Sequence, residues 1–102
     1  MALVEVSIIP LGTETTSVSQ YVARAVGILQ GEKDIKFELT AMGTIIEGDL
    51  EHLLTLVRKM HEAVFDAGIA RVVTTVKIDD RRDKISSMNS KMESLKRELG
   101  HQ

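Results

Sequence analysis

Ile35-Lys36-Phe37-Glu38-Leu39-Thr40-Ala41-Met42-Gly43-Thr44-Ile45-Ile46-Glu47-Gly48 is the stretch that decides the fold. Ile35, Phe37, Leu39 and Ala41 alternate with Lys36, Glu38, Thr40 and Met42, the period of a strand with one buried face. Gly43 breaks the run, and Thr44 to Glu47 resumes it before Gly48. Two strands in direct succession predict a hairpin that bends near Met42-Gly43. One long strand kinked at Gly43 is the alternative.

Helices are expected on both sides of this pair. Upstream, Ser17-Val18-Ser19-Gln20 has the spacing of a capping box. Val18, Tyr21, Val22, Ala25, Ile28 and Leu29 then recur at helical intervals, and Gly31 is the stop signal. Downstream, Asp49 caps a second helix whose predicted apolar stripe is Leu50, Leu53, Leu54, Val57, Met60, Val64 and Phe65, ended by Gly68. Leu3 to Ile9 is rich in β-branched residues and stops at Pro10-Leu11-Gly12, as a strand leaving a sheet does. Arg71 to Asp79 is a fourth strand, with Val72, Thr74, Val76 and Ile78 on one side. The order β-α-β-β-α-β is the split βαβ arrangement, an α+β ferredoxin-like sandwich. Right-handed crossovers place both helices on one face of an antiparallel four-stranded sheet, with the first and third strands central.

Residues 81–102 are expected to form an added C-terminal helix. Ile85, Met88, Met92, Leu95 and Leu99 are spaced 3, 4, 3 and 4, with polar residues between. So narrow a stripe is a seam, and two heptads are too short to stand alone. The helix either packs on its own domain or forms a subunit contact. The 102 residues are expected to make one domain, residues 1–102.

Composition excludes several functions. Hydrophobic residues are 43% and charged residues 27% of the chain, ordinary globular usage. A formal net charge of −2 leaves no basic field for a nucleic-acid backbone. Tyr21, Phe37 and Phe65 are the only aromatics besides histidine, too few for a base-stacking platform. The lack of cysteine excludes disulfides, thiolate metal sites and thiol nucleophiles. Met1 to Pro10 has no basic region and carries Glu5 within its apolar run, unlike a signal peptide, and no segment approaches a membrane span. The expected location is cytoplasmic, with no membrane and no nucleic-acid partner.

With both helices on one face, the other is left to water or a partner. By alternation it carries Glu5, Ser7, Ile9, Glu38, Thr40, Met42, Val73, Thr75 and Lys77, too polar for a core and too apolar for a plain solvated surface. The edge strand from Ile35 to Ala41 has no proline to block pairing with another chain. A homo-oligomer is expected, by edge pairing or by stacking of open faces.

Few residues carry chemistry. His52 and His61 lie nine apart on one helix, unlike an i, i+4 metal pair, so no metal site is expected. No Ser-His-Asp set, lysine nucleophile or carboxylate pair stands out, and no enzyme is expected. Glu47 is the most informative residue. It ends an apolar central strand, where a carboxylate is costly to bury without a donor or cation. It either emerges at the sheet rim or is a fixed acceptor for an amine-bearing or cationic ligand. Thr44 faces the opposite side by alternation, so the two share a site only through strand twist or a subunit boundary. The loop Gly12 to Ser17 runs into a helix N-terminus, but with one glycine and no lysine it fails the P-loop pattern, and Glu14 opposes a phosphate. Asp79-Asp80-Arg81-Arg82-Asp83 reads as a network of local pairs and caps.

Three segments carry a resemblance. Ser7-Ile8-Ile9-Pro10-Leu11-Gly12 followed by Ser17-Val18-Ser19-Gln20-Tyr21-Val22, then Leu39 to Gly48, then Arg71 to Arg82, together resemble a family of thiamine-binding proteins related to the YkoF-like hydroxymethylpyrimidine/thiamine-binding domain. The resemblance covers nearly the whole chain. It implies a ferredoxin-like fold, homotetramers built as dimers of dimers, and binding of thiamine or its pyrimidine moiety without catalysis or a further cofactor. Thiamine presents an aminopyrimidine and a cationic thiazolium. The candidate ligand residues chosen for that chemistry are Glu47 as acceptor, Thr44, Thr40, Ser7, Thr13 and Ser17 as hydroxyls, and Met42 and Tyr21 as ring contacts. Against this stand two other functions: a regulatory or structural assembly module that binds another protein, and an enzyme with no recognisable catalytic set.

Overall fold

The computed structural model describes residues 1–12, 19–83 and 88–100. Its elements follow the expected order: β1 (Ala2–Leu11), α1 (Ser19–Gly27), β2 (Lys36–Thr40), β3 (Gly43–Gly48), α2 (Leu50–Phe65), β4 (Arg71–Asp79) and α3 (Met88–Gly100). The strands form one antiparallel sheet in the order β2-β3-β1-β4, so β1 and β3 are central and β2 and β4 are edges. Gly43 marks a hairpin and not a kink, because β2 and β3 pair from Thr40↔Gly43 to Lys36↔Glu47. This is the α+β ferredoxin-like sandwich with an added C-terminal helix.

The core lies between one sheet face and the helices α1 and α2. Val4 and Val6 of β1 and Ile46 of β3 meet Ala25, Leu29, Leu53, Leu56, Met60 and Val64, all buried. Asp49 caps α2, its carboxylate accepting from the His52 amide, which satisfies one of the free donors of the first turn. Gly68 ends the segment at φ 88°, a conformation that favours glycine.

Three details differ from the sequence expectations. Leu54 is 41% exposed, and Leu56 takes its place in the core. At about 100° per residue, Leu53, Leu56, Val57, Met60 and Val64 cluster on one side of the helix while Leu54 falls near a right angle to them. The strand expected to bury Phe37 and Leu39 is exposed along its whole length, because α2 packs across β1, β4 and β3 and α1 on β1, which leaves the β2 edge uncovered. Helix α1 closes at Gly27 and not at Gly31. The chain continues in tight turns, with Ile28 and Leu29 amides donating to Ala25 and Val26 carbonyls at 3.2 and 2.9 Å. Leu29 stays fully buried by this tightening. The predicted cap at Ser17 and the seam residue Ile85 lie outside the described residues.

The second face of the sheet carries a regular grid. One transverse row is Lys36-Glu47-Leu3-Asp79, and the next is Glu38-Ile45-Glu5-Lys77. Helix α3 touches this face only at its start, where Lys91 pairs with Asp79. Beyond that, every residue from Lys91 to Gly100 is exposed. The radius of gyration, 15.3 Å, exceeds the ~13 Å of a compact chain this long, consistent with a helix that stands away from the body. Among the described residues, no helix is long and apolar enough to cross a membrane.

Candidate functional site

A cleft arises where two pairings of β1 end at different points. On one side, β1 pairs with β3 only as far as Val6↔Thr44. On the other, it pairs with β4 as far as Leu11↔Arg71. From Ser7 onward, β1 therefore has a strand edge that faces no β-partner. The hairpin between β2 and β3 curls beside this edge, and α1 roofs it. This open cleft has a volume of about 650 Å³ and is lined by Ser7, Ile9, Val22, Leu39, Met42 and Thr44, among others. Leu39 is 58% exposed because it forms a wall of this opening and not part of the core.

Thr44 is the best-formed polar feature of the cleft. It is only 5% exposed, and among the described residues its hydroxyl has no hydrogen-bond partner. The hydroxyl is not sealed away, since among the described residues no fully buried polar side-chain atom is left unsatisfied; Thr44 lines the cleft. A buried hydroxyl with no partner among the described residues is placed to bond a ligand. Thr40 has a different task. Its Oγ1 donates to the Gly43 carbonyl at 2.8 Å and accepts from the Met42 and Gly43 amides at 3.2 and 3.1 Å. These bonds shape the turn and hold Met42 at the cleft mouth.

Of the candidate ligand residues, Ser7, Thr40, Met42 and Thr44 come together in this one cleft. Tyr21 packs partly buried against the core from α1 and does not line it. Thr13 and Ser17 lie outside the described residues. Glu47 is on the other face of the sheet, opposite Leu3 and Lys36. It lies three positions along β3 from Thr44, about 10 Å of strand. Its side chain is 6% exposed, with no hydrogen bond or ion pair among the described residues.

A smaller cleft, about 440 Å³, lies between the second sheet face and the start of α3, against Leu3, Glu5, Ile45, Lys77, Met88 and Met92. The charge cluster after β4 is satisfied locally. Arg81 pairs with Asp83 at 2.7 Å and Arg82 with Asp80 at 2.9 Å, and these carboxylates hold both guanidinium pKa values above the ordinary arginine value. The two helix histidines are engaged separately, His52 beside Glu32 at 3.6 Å and His61 Nδ1 with Thr74 Oγ1 at 2.6 Å.

Sequence reasoning did not anticipate Val22, Leu39 and Met60 as cleft residues. Val22 and Leu39 carried a signal, an apolar residue on a helix or edge strand with nothing to cover it. Met60 carried none, because a residue at the rim of a core has the same helical spacing as one inside it.

Known proteins place this arrangement. The UPF0045 protein YqgV of Bacillus subtilis is 50% identical over 102 residues, covering 97% of this chain and 98% of that protein. The crystal structure of hypothetical protein MJ1052 from Methanocaldococcus jannaschii superposes with a TM-score of 0.84 at 40% identity, covering 92% of this chain and 94% of that one. A candidate thiamine biosynthesis/salvage protein from Thermotoga maritima shares the fold, with a TM-score of 0.77 at 19% identity over 92% of this chain and 97% of that one. The profile of the family described as "Thiamine-binding protein" matches residues 4–96, and the chain belongs to that family.

Proposed function

We propose that the chain binds thiamine or its hydroxymethylpyrimidine moiety in the cleft between β1, the β2–β3 hairpin and α1, and catalyses no reaction on it. The observation that carries this is Thr44, a buried hydroxyl without a partner among the described residues, on the wall of a ring-sized cleft, in a chain whose family is named for thiamine binding. Ser7 adds a second hydroxyl, and Met42 offers a polarisable surface for a ring. Most small-ligand sites have this character, apolar walls with a few placed polar groups.

Calorimetric titration of the pure protein with thiamine and with hydroxymethylpyrimidine tests the reading. Saturable heat is expected for at least one of them, weakened in Thr44→Val. Glu47→Gln is expected to leave that affinity unchanged, since Glu47 faces away from the cleft. No heat with either compound at millimolar concentration refutes the proposal.

We also infer a homo-oligomer acting in the cytoplasm. Met92, Leu95 and Leu99 of α3 are 52%, 50% and 56% exposed on one seam, and both edge strands are unpaired on their outer sides. A second copy covers such a seam with its own equivalent surface, as a two-fold interface requires. The assembly-module reading draws on the same seam, with a different protein as partner. Native mass spectrometry separates them, since self-assembly predicts a mass that is a multiple of this chain alone.

A further inference from the structure

The cleft differs from most anion sites in its charge. Every described residue that lines it is uncharged: valine, isoleucine, leucine, alanine, methionine, glycine, serine or threonine. No lysine or arginine is among them.

A phosphate monoester carries a charge of about −1.5 to −2 at neutral pH. Held against apolar walls, it requires fixed cations or charge-assisted donors to replace its hydration. The start of α1 offers only the ~0.5 partial charge of a helix terminus. A neutral ring meets what is there. The Thr44 and Ser7 hydroxyls both donate and accept, and β1 past Val6 presents an edge that faces no β-partner. An amino group, a ring nitrogen and a hydroxymethyl group are partners for such groups, and none brings a charge with it.

We infer that this cleft takes its ligand unphosphorylated, admitting the free hydroxymethyl form of a neutral heteroaromatic ring and rejecting the phosphate ester of the same ring. The inference rests on the cleft being the ligand site, and it specifies the chemical form bound there.

Calorimetric titration of the full chain with hydroxymethylpyrimidine and separately with its phosphate monoester provides the test. The free alcohol is expected to bind, with the ester on the order of 100-fold weaker, as befits a charge left without a partner. Ester binding as tight as that of the alcohol, or tighter, overturns the inference while leaving the cleft as the ligand site. Silence from both compounds overturns the inference, and the proposed function falls with it only when thiamine is silent too. A gain-of-charge variant gives an independent readout. Val22 lines the cleft and is 40% exposed, so Val22→Arg sets a guanidinium at the rim without burying it. With the circular dichroism melt unchanged, the ratio of alcohol to ester affinity is expected to fall about tenfold or more in Val22→Arg. An unchanged ratio with alcohol affinity intact counts against the inference.

Discussion

A β-carbon on Gly43 would lie 2.7 Å from the carbonyl oxygen of Val6, a distance that real side chains essentially never show. Strand β3 therefore meets β1 at its first residue only because that residue has no side chain. The same contact lies where the β1–β3 pairing gives way to the cleft. Gly43→Ala is expected to cost about 1–3 kcal/mol, the usual range for overpacking against backbone that cannot move aside. Urea denaturation checks this, and ligand affinity falls in parallel as the hairpin is pushed away from β1.

Thr40 holds the other end of the turn. Its hydroxyl makes three hydrogen bonds within the turn, and a typical bond contributes about 0.5–1.5 kcal/mol. Thr40→Val keeps the shape and loses all three. The expected loss, about 1–2 kcal/mol given solvent access, is accompanied by faster amide exchange from Phe37 to Gly43. Unchanged exchange in that hairpin speaks against a turn-shaping role.

His61 and Thr74 tie α2 to the edge strand β4 at 2.6 Å, and Phe65 meets the His61 ring edge-on with centroids 5.0 Å apart. Thr74→Val removes one bond and retains the packing. A stability loss of about 1 kcal/mol is expected, with increased amide exchange confined to β4. His61→Ala is expected to cost more, because the ring contact, worth about 0.5–1.5 kcal/mol in aromatic pairs, goes with the hydrogen bond.

The seam on α3 makes a prediction of a different kind. Leu95 and Leu99 are exposed in the isolated chain and contribute nothing to its core. The double substitution Leu95→Asp with Leu99→Asp is expected to leave the far-ultraviolet circular dichroism spectrum nearly unchanged while lowering the native mass to that of a smaller assembly. A mass equal to the parent's removes the seam from the subunit contact.

Much of this molecule was legible in its sequence, and particular residues show why. The alternation from Ile35 to Ala41, the break at Gly43 and the cap at Asp49 are local signals, and hairpin and helix lie where they indicated. Leu54 and Leu56 were harder. Both are apolar and both are compatible with a helical stripe, so only the position of the sheet beneath α2 decides which is buried. Phe37 and Leu39 show the same limit on a strand. Period 2 identifies a face without stating whether anything covers it.

The sequence by itself determined the order of elements, the split βαβ topology and the opposite facing of Thr44 and Glu47, while the pairing of Thr40 with Gly43 decided for a hairpin over a kinked strand. The first three follow from periodicity and handedness, which act over a few residues or through general rules of connection. Only the tertiary structure decided that Ser7, Thr40, Met42 and Thr44 share a cleft, while Glu47 lies outside it and α3 stands away from the sheet it begins on. The cleft exists because β1 outlasts its pairing with β3 and continues along β4. That mismatch in strand length is a relation among three distant segments, and no window along the chain contains it.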